Sequence, residues 1–330
     1  MRAVPPSLPD AVQGPTALAV VLRAAAPTGA AALLALAPVG LPPRSGALEA
    51  AIIRTQVERA ATIPAATDVV TVGDSTGLIN IDPGALAAAL DGATVEGLNT
   101  LGFAGPRGHA VLLDAFQRRG GAPRRVLITL RNLAPPSGPN ARLVDRLLRQ
   151  PVPPAPPTWP LRVRARLAAA VEPVLFLPFP GAWGDYYGGR DRFDAVLRAR
   201  HGFAHDPVAP KPDSLGALLH PPYAVNDKFR AELPALRAAV AAVGAERVRL
   251  VLMPESTFWS PHDVAPARAS ALALLHAQLG LDPARQLAGL PAQLPADQFA
   301  SFAHLNARGR AVLTADLAAA LRRDRARHPW

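Results

Sequence analysis

Three short stretches hold residue types that can do chemistry together. Gly73-Asp74-Ser75-Thr76-Gly77 sets a serine in a glycine-flanked turn. A serine between a strand and a helix can raise its Oγ above a sheet edge, and its backbone N–H can face an oxyanion. Asn132, in Thr129-Leu130-Arg131-Asn132, carries an amide able to donate to developing negative charge. His304, in Phe302-Ala303-His304-Leu305-Asn306-Ala307-Arg308-Gly309, supplies an imidazole that can act as a base. A serine hydroxyl is a poor nucleophile until such a base takes its proton. Each residue alone has a bland reading: Ser75 as a helix cap, Asn132 as a loop cap, His304 as a surface or core histidine. Together they are the parts of acyl transfer through a covalent serine intermediate.

These residues need elements to hold them. Residues 46–59 carry Leu48, Ile52, Ile53 and Val57 at helical spacing. Residues 68–72 read as a buried strand that runs into Gly73. Asp82-Pro83-Gly84 opens a helix over 85–90, with proline near its first turn. A second strand over 94–98, a break at Gly105-Pro106 and a helix over 108–118 follow. The third strand spans 125–130, the clearest β-run. Beyond residue 225 come a helix over 228–243, a fourth strand over 247–254, and helices over 266–279 and 306–323, the last capped by Asn306. Strands separated by helices predict an α/β fold, a parallel sheet in three α/β/α layers. Ligands of such sheets bind at the C-terminal strand ends, where Ser75 and Asn132 fall.

Residues 134–225 interrupt this order as an insertion. Pro151-Val152-Pro153-Pro154-Ala155-Pro156-Pro157 can continue neither a helix nor a central strand, so it marks an excursion from the core. Around it lie a helical insert at 143–148, a helix near 161–170, an apolar run at 174–179 and a loop with Trp183, Tyr186 and Tyr187. Aromatic faces suit sugar rings, so these three, with Asp74 and with Trp259 beyond the fourth strand, are candidate substrate contacts. Residues 16–41 are apolar except for Arg23. Residues 1–45 therefore read as a signal, a membrane anchor or a disordered start, leaving 46–330 as one domain. An anchor there would give membrane contact and favours an exported or anchored protein over a cytoplasmic one.

Composition narrows the classes. The 330 residues contain no cysteine, which excludes a disulfide framework, a cysteine nucleophile and a thiolate metal site. The net charge is +10, and 33 of the 35 basic residues are arginine. They are scattered without interleaved aromatics, so no nucleic-acid partner is expected. The densest run, Arg322, Arg323, Arg325 and Arg327, reads as the solvated end of a last helix, matched to its dipole. His262 and Asp263 are adjacent and lack a third ligand, so no metal is expected. No phosphate-binding glycine motif appears, so no nucleotide or other cofactor is expected.

The order of the blocks resembles the SGNH (GDSL-like) hydrolase superfamily. Gly73-Asp74-Ser75 follows the first strand, Gly105 the second and Asn132 the third, and His304-Leu305-Asn306-x-x-Gly309 precedes the C-terminal helix. The resemblance covers about residues 68–133 and 247–323, and the histidine block is its most specific part. The pattern is also similar to the branch acting in cell-envelope polysaccharide acylation. It implies a flavodoxin-like three-layer fold, Ser75 as nucleophile and His304 as general base. It implies an oxyanion hole made of the Ser75 N–H, the Gly105 N–H and the Asn132 side chain. The implied activity is hydrolysis of an acyl ester, with acylated carbohydrate as one substrate class. The alternatives are O-acyl transfer to an envelope polysaccharide, and a non-catalytic protein that binds a polysaccharide or a partner. The family places an aspartate three residues before the histidine, where this chain has Ser301. Ser301 itself and Asp297, seven residues before, are the candidate orienters of the imidazole; a Ser–His dyad is the remaining option.

Overall fold

The computed structural model describes residues 44–102, 104–135, 148, 190–204 and 221–330, all within the unit Pro42–Trp330. The expected signal or anchor (but for Arg44 and Ser45), the proline run at 151–157, and Trp183, Tyr186 and Tyr187 lie outside the described residues. Among the described residues no helix is long and apolar enough to cross a membrane.

Four parallel strands form the centre: β1 (Val69–Gly73), β2 (Val95–Asn99), β3 (Arg125–Leu130) and β4 (Val248–Leu252). They lie in the order β2-β1-β3-β4. Val69 pairs with both Val95 and Arg125, and Val126 pairs with Val248. Every residue of these strands is buried, as a parallel sheet covered on both faces requires. Alternate side chains serve opposite faces. Val70, Val72, Ile128, Leu130 and Leu250 join one apolar cluster; Val69, Leu127 and Val251 join another.

Helices cover both faces. In chain order they are α1 (Arg44–Ala60), α2 (Ser75–Asn80), α3 (Pro83–Ala89), α4 (Gly105–Gln117), α5 (Arg190–Ala199), α6 (Asp227–Val243), α7 (Pro261–Leu279) and α8 (Ala307–Arg327). The first cluster takes Leu112 and Phe116 of α4, Phe229 and Leu233 of α6, and Val264 and Leu275 of α7. The second takes Leu86 of α3 and Leu313, Leu317 and Leu321 of α8. The sheet grows from β1 to β2 in one direction and to β3 and β4 in the other. The crevice where strand order reverses therefore lies between β1 and β3.

Several element ends differ from the sequence expectation. Gly105-Pro106 opens α4 instead of breaking the chain, because a proline in the first turn forfeits no helical hydrogen bond. Helix α7 starts at Pro261, capped by the Ser260 side chain, so Pro266 falls inside it. Helix α5 was not expected at all. Its Phe193 and Leu197, four residues apart, pack with Ile52, Leu78 and Ile79. After it, the His201 carbonyl accepts the Gly97 N–H at 2.7 Å and so covers part of the outer edge of β2. This part of the insertion belongs to the core.

Candidate active site

Ser75 is the first residue of α2, directly beyond the C-terminal end of β1, so it stands at the strand-order reversal. Leading N–H groups of a helix have no partner within it, which leaves the Ser75 N–H for an anion. The flanking glycines answer to crowding inside the chain, not to a substrate. A Cβ on Gly73 would run into the Thr129 carbonyl, and one on Gly77 into Thr129 Oγ1 and Asn99 Oδ1. The serine turn can press onto the end of β3 only because both side chains are absent.

Asp74 locks that contact. It is 2% exposed, and its Oδ1 accepts the Thr76 N–H at 2.9 Å, capping α2. Its Oδ2 accepts the N–H groups of Arg131 and Asn132 at 2.9 and 2.8 Å. The carboxylate expected to touch substrate is thus consumed by protein donors. Its task is to join the two strand ends that carry Ser75 and Asn132.

His304 Nε2 lies 3.0 Å from Ser75 Oγ, although the two residues are 229 apart in sequence. The loop that carries the histidine is held from the helix that begins at Ser75. Buried Asn80, the last residue of α2, donates from Nδ2 to the Ala303 carbonyl at 3.1 Å. Its Oδ1 accepts the Leu305 N–H at 2.8 Å. The His304 carbonyl accepts from Ala300 N and Ser301 N, and Ser301 Oγ accepts the His304 N–H at 3.2 Å. Ser301 therefore engages the backbone of His304. Asp297 sits elsewhere: its carboxylate pairs with Arg308 at 3.0 Å, with the two side chains 64% and 71% exposed. The short turn Ala296–Gln298 sets it beside the first turn of α8, in solvent.

Asn132 Oδ1 accepts the Ala134 N–H at 3.0 Å, which leaves Nδ2 as the donor for a ligand. That nitrogen lies 2.7 Å from where a Cβ on Gly102 would stand. Gly102, not Gly105, is therefore the glycine beside the asparagine. Gly105 has φ +57° at the entry to α4, and a Cβ there would meet the Glu232 carboxylate of α6. It serves the helix start.

Four further residues around the site had no role of their own in the sequence reading: Asn80, Arg131, Glu255 and Phe302. Arg131 pairs with Glu255 at 2.8 Å and lies 5.1 Å from the centre of the Phe302 ring. Burial raises the Glu255 pKa and Arg131 opposes that rise. Phe302 is 44% exposed two residues before His304, so it supplies an apolar rim. The signal for Arg131 and Phe302 was their nearness in sequence to Asn132 and His304, and for Glu255 its place just beyond the fourth strand, in the stretch that holds Trp259; for Asn80 there was none. Trp259 is partly buried against the cluster of α4, α6 and α7. The exposed ring of that stretch is Phe258, edge-on to Trp259 at 6.3 Å.

Behind the site, His109 of α4 is fully buried, and neither ring nitrogen has a hydrogen-bond partner. Burial pushes its pKa down to about 4, against the charge of Asp74. The Gly73 carbonyl also favours the charged ring but lies outside hydrogen-bonding geometry.

The chain is an α/β protein with a Ser–His pair at the sheet's reversal point. No protein-family model, no curated protein and no solved structure matches it.

Proposed function

We propose that the chain is a serine ester hydrolase of SGNH-like type. The observation that carries the reading is Ser75 Oγ within 3.0 Å of His304 Nε2, at the position where parallel sheets bind ligands. His304 Nε2 takes the Ser75 proton as Oγ attacks the acyl carbonyl. The Ser75 N–H and Asn132 Nδ2 receive the oxyanion, with the backbone N–H of Gly102 as a third donor in place of Gly105. His304 then hands the proton to the leaving alcohol oxygen, and an acyl-serine remains. Water, deprotonated by the same imidazole, releases the acid and restores Ser75. A sugar hydroxyl in place of water would turn the same intermediate into acyl transfer. Exposed Phe302, beside His304, suits an apolar or carbohydrate portion of the substrate.

The test is hydrolysis of p-nitrophenyl acetate by the full chain and by Ser75→Ala and His304→Ala. Each variant should lose activity by about 10²-fold or more. A fluorophosphonate probe should label wild type and spare Ser75→Ala. Equal labelling of both, or no turnover and no labelling of a folded wild type, would sink the reading.

A further inference from the structure

At the sheet edge opposite Ser75, where β3 and β4 begin, lies a cavity of about 630 Å³. Its lining includes Arg124, Arg125, Arg247, Arg285 and Arg327, and one acidic residue, Glu246. These arginines come from four separate stretches of chain. The dipole of α8 accounts for Arg327 at its C-terminal end, but not for the other four.

Arg124 pairs with Asp68 at 3.2 Å, but the local carboxylates do not cancel the rest of this charge. Buried Arg125 and Arg249 share the single carboxylate of Asp324, at 2.7 and 2.9 Å. Burial, together with the charges of Arg249 and Arg285, holds the Arg125 pKa below its ordinary range against the hydrogen bond it donates to Asp324. Arg247 and Arg285 meet carboxylates only at 3.6 and 3.8 Å near the surface, where such pairs are worth little. Arg327 reaches the Arg323 carbonyl at 3.4 Å and, among the described residues, no carboxylate. The run read in the sequence as a solvated helix end is thus partly turned into a cavity wall.

A second, independent observation is Trp330. Its ring stands in the lining, and its indole N–H is buried away from the cavity surface. Its ring carries the guanidinium groups of Arg125 and Arg325, each 5.4 Å from the ring centre. With the ring so engaged, Trp330 holds Arg125 at the cavity wall and is not a stacking platform. Crowded guanidinium groups from separate stretches of chain are satisfied by an anion with several oxygens. Guanidinium forks match phosphate and carboxylate geometry, and the volume suits a small molecule.

We propose that this cavity binds a small polyanion bearing two or more phosphate or carboxylate groups. The proposal does not rest on the hydrolase reading, since none of the lining residues belongs to the site around Ser75.

The experiment is calorimetric titration of the full chain with pyrophosphate and, separately, with citrate, at physiological ionic strength. One of the two should bind saturably at one site per chain, and which one binds tighter tells phosphate from carboxylate. The double variant Arg285→Gln/Arg327→Gln should weaken that binding by about tenfold or more, the lower end for losing charge-assisted hydrogen bonds. Arg192→Gln/Arg200→Gln, outside the cavity on and just after α5, removes the same charge and should leave affinity unchanged. Circular dichroism checks that each variant folds. No saturable binding of either anion up to about 10 mM, or equal weakening by the two double variants, overturns the proposal.

Discussion

Two side chains compete for the role of steadying His304, and the geometry assigns them different work. Ser301 Oγ accepts the His304 backbone N–H, and Asp297 pairs with Arg308 in solvent. Exposed pairs of this kind contribute about 0–1 kcal/mol. Asp297→Asn should therefore keep kcat/KM for p-nitrophenyl acetate within about twofold of wild type, far from the loss of roughly 10⁴ seen when a true triad aspartate is replaced. A fall of the Ser75→Ala kind would make Asp297 the orienting acid after all. Asp74 behaves oppositely, because it is buried and accepts three backbone N–H groups. Asp74→Ala leaves those donors unpaired, so it should cost roughly 3 kcal/mol or more in denaturant unfolding. It should also lower turnover by releasing Asn132. A loss below about 1 kcal/mol would show that Asp74 does not lock the strand ends.

Helix α2 is short, but it carries Ser75 at its first residue and the clamp for the His304 loop at its last. Ser75 and His304 are thus referenced to one rigid element. Misplacement of a catalytic group by about 1 Å costs on the order of 10²-fold in rate. Asn80→Ala should accordingly lower kcat by about ten- to a hundredfold with KM little changed, measured at a temperature where circular dichroism shows full folding. If only the melting temperature falls and kcat holds, the clamp is structural alone. The strands were legible in the sequence because buried parallel strands are continuous apolar runs, as in Arg125–Leu130. Ser75, Asn132 and His304 were legible because they sit at the ends of such runs or at a capped helix start. The Asn80 clamp was not, since one asparagine in a helix says nothing of a loop more than 200 residues away. That Gly102, and not Gly105, lies beside Asn132 was not legible either, because it depends on which one faces Asn132 and which faces Glu232. Helix α5 was obscured by the proline- and glycine-rich chain before it, although Phe193 and Leu197 had the right spacing.

At the scale of the whole molecule, the sheet order decides where chemistry can sit. That order is set by crossovers that no local pattern reveals. It buries His109 beside Asp74, under the site and between β1 and α4. The imidazole stays neutral in the folded protein down to about pH 4, whereas in the unfolded chain it protonates near pH 6.5. As pH falls below 6.5 the unfolded state therefore binds a proton that the folded state refuses. Stability drops until the folded pKa is reached and is restored above 6.5. Between pH 7 and 4.5 this one residue should remove roughly 2–3 kcal/mol. Acidification also protonates carboxylates and raises a net charge that is already +10, which destabilises the fold by other routes. Those routes are shared by a His109→Leu variant, so the difference between the two proteins isolates the histidine. Urea unfolding at pH 7 and 4.5 should show a smaller acid loss in His109→Leu, whatever its stability at neutral pH. An identical pH slope in both proteins would mean that the buried ring accepts its proton in place, with Asp74 as counter-charge. In that case Asp74 would be shared between the strand ends and His109, and Asp74→Asn should then make the folded protein more acid-sensitive than wild type.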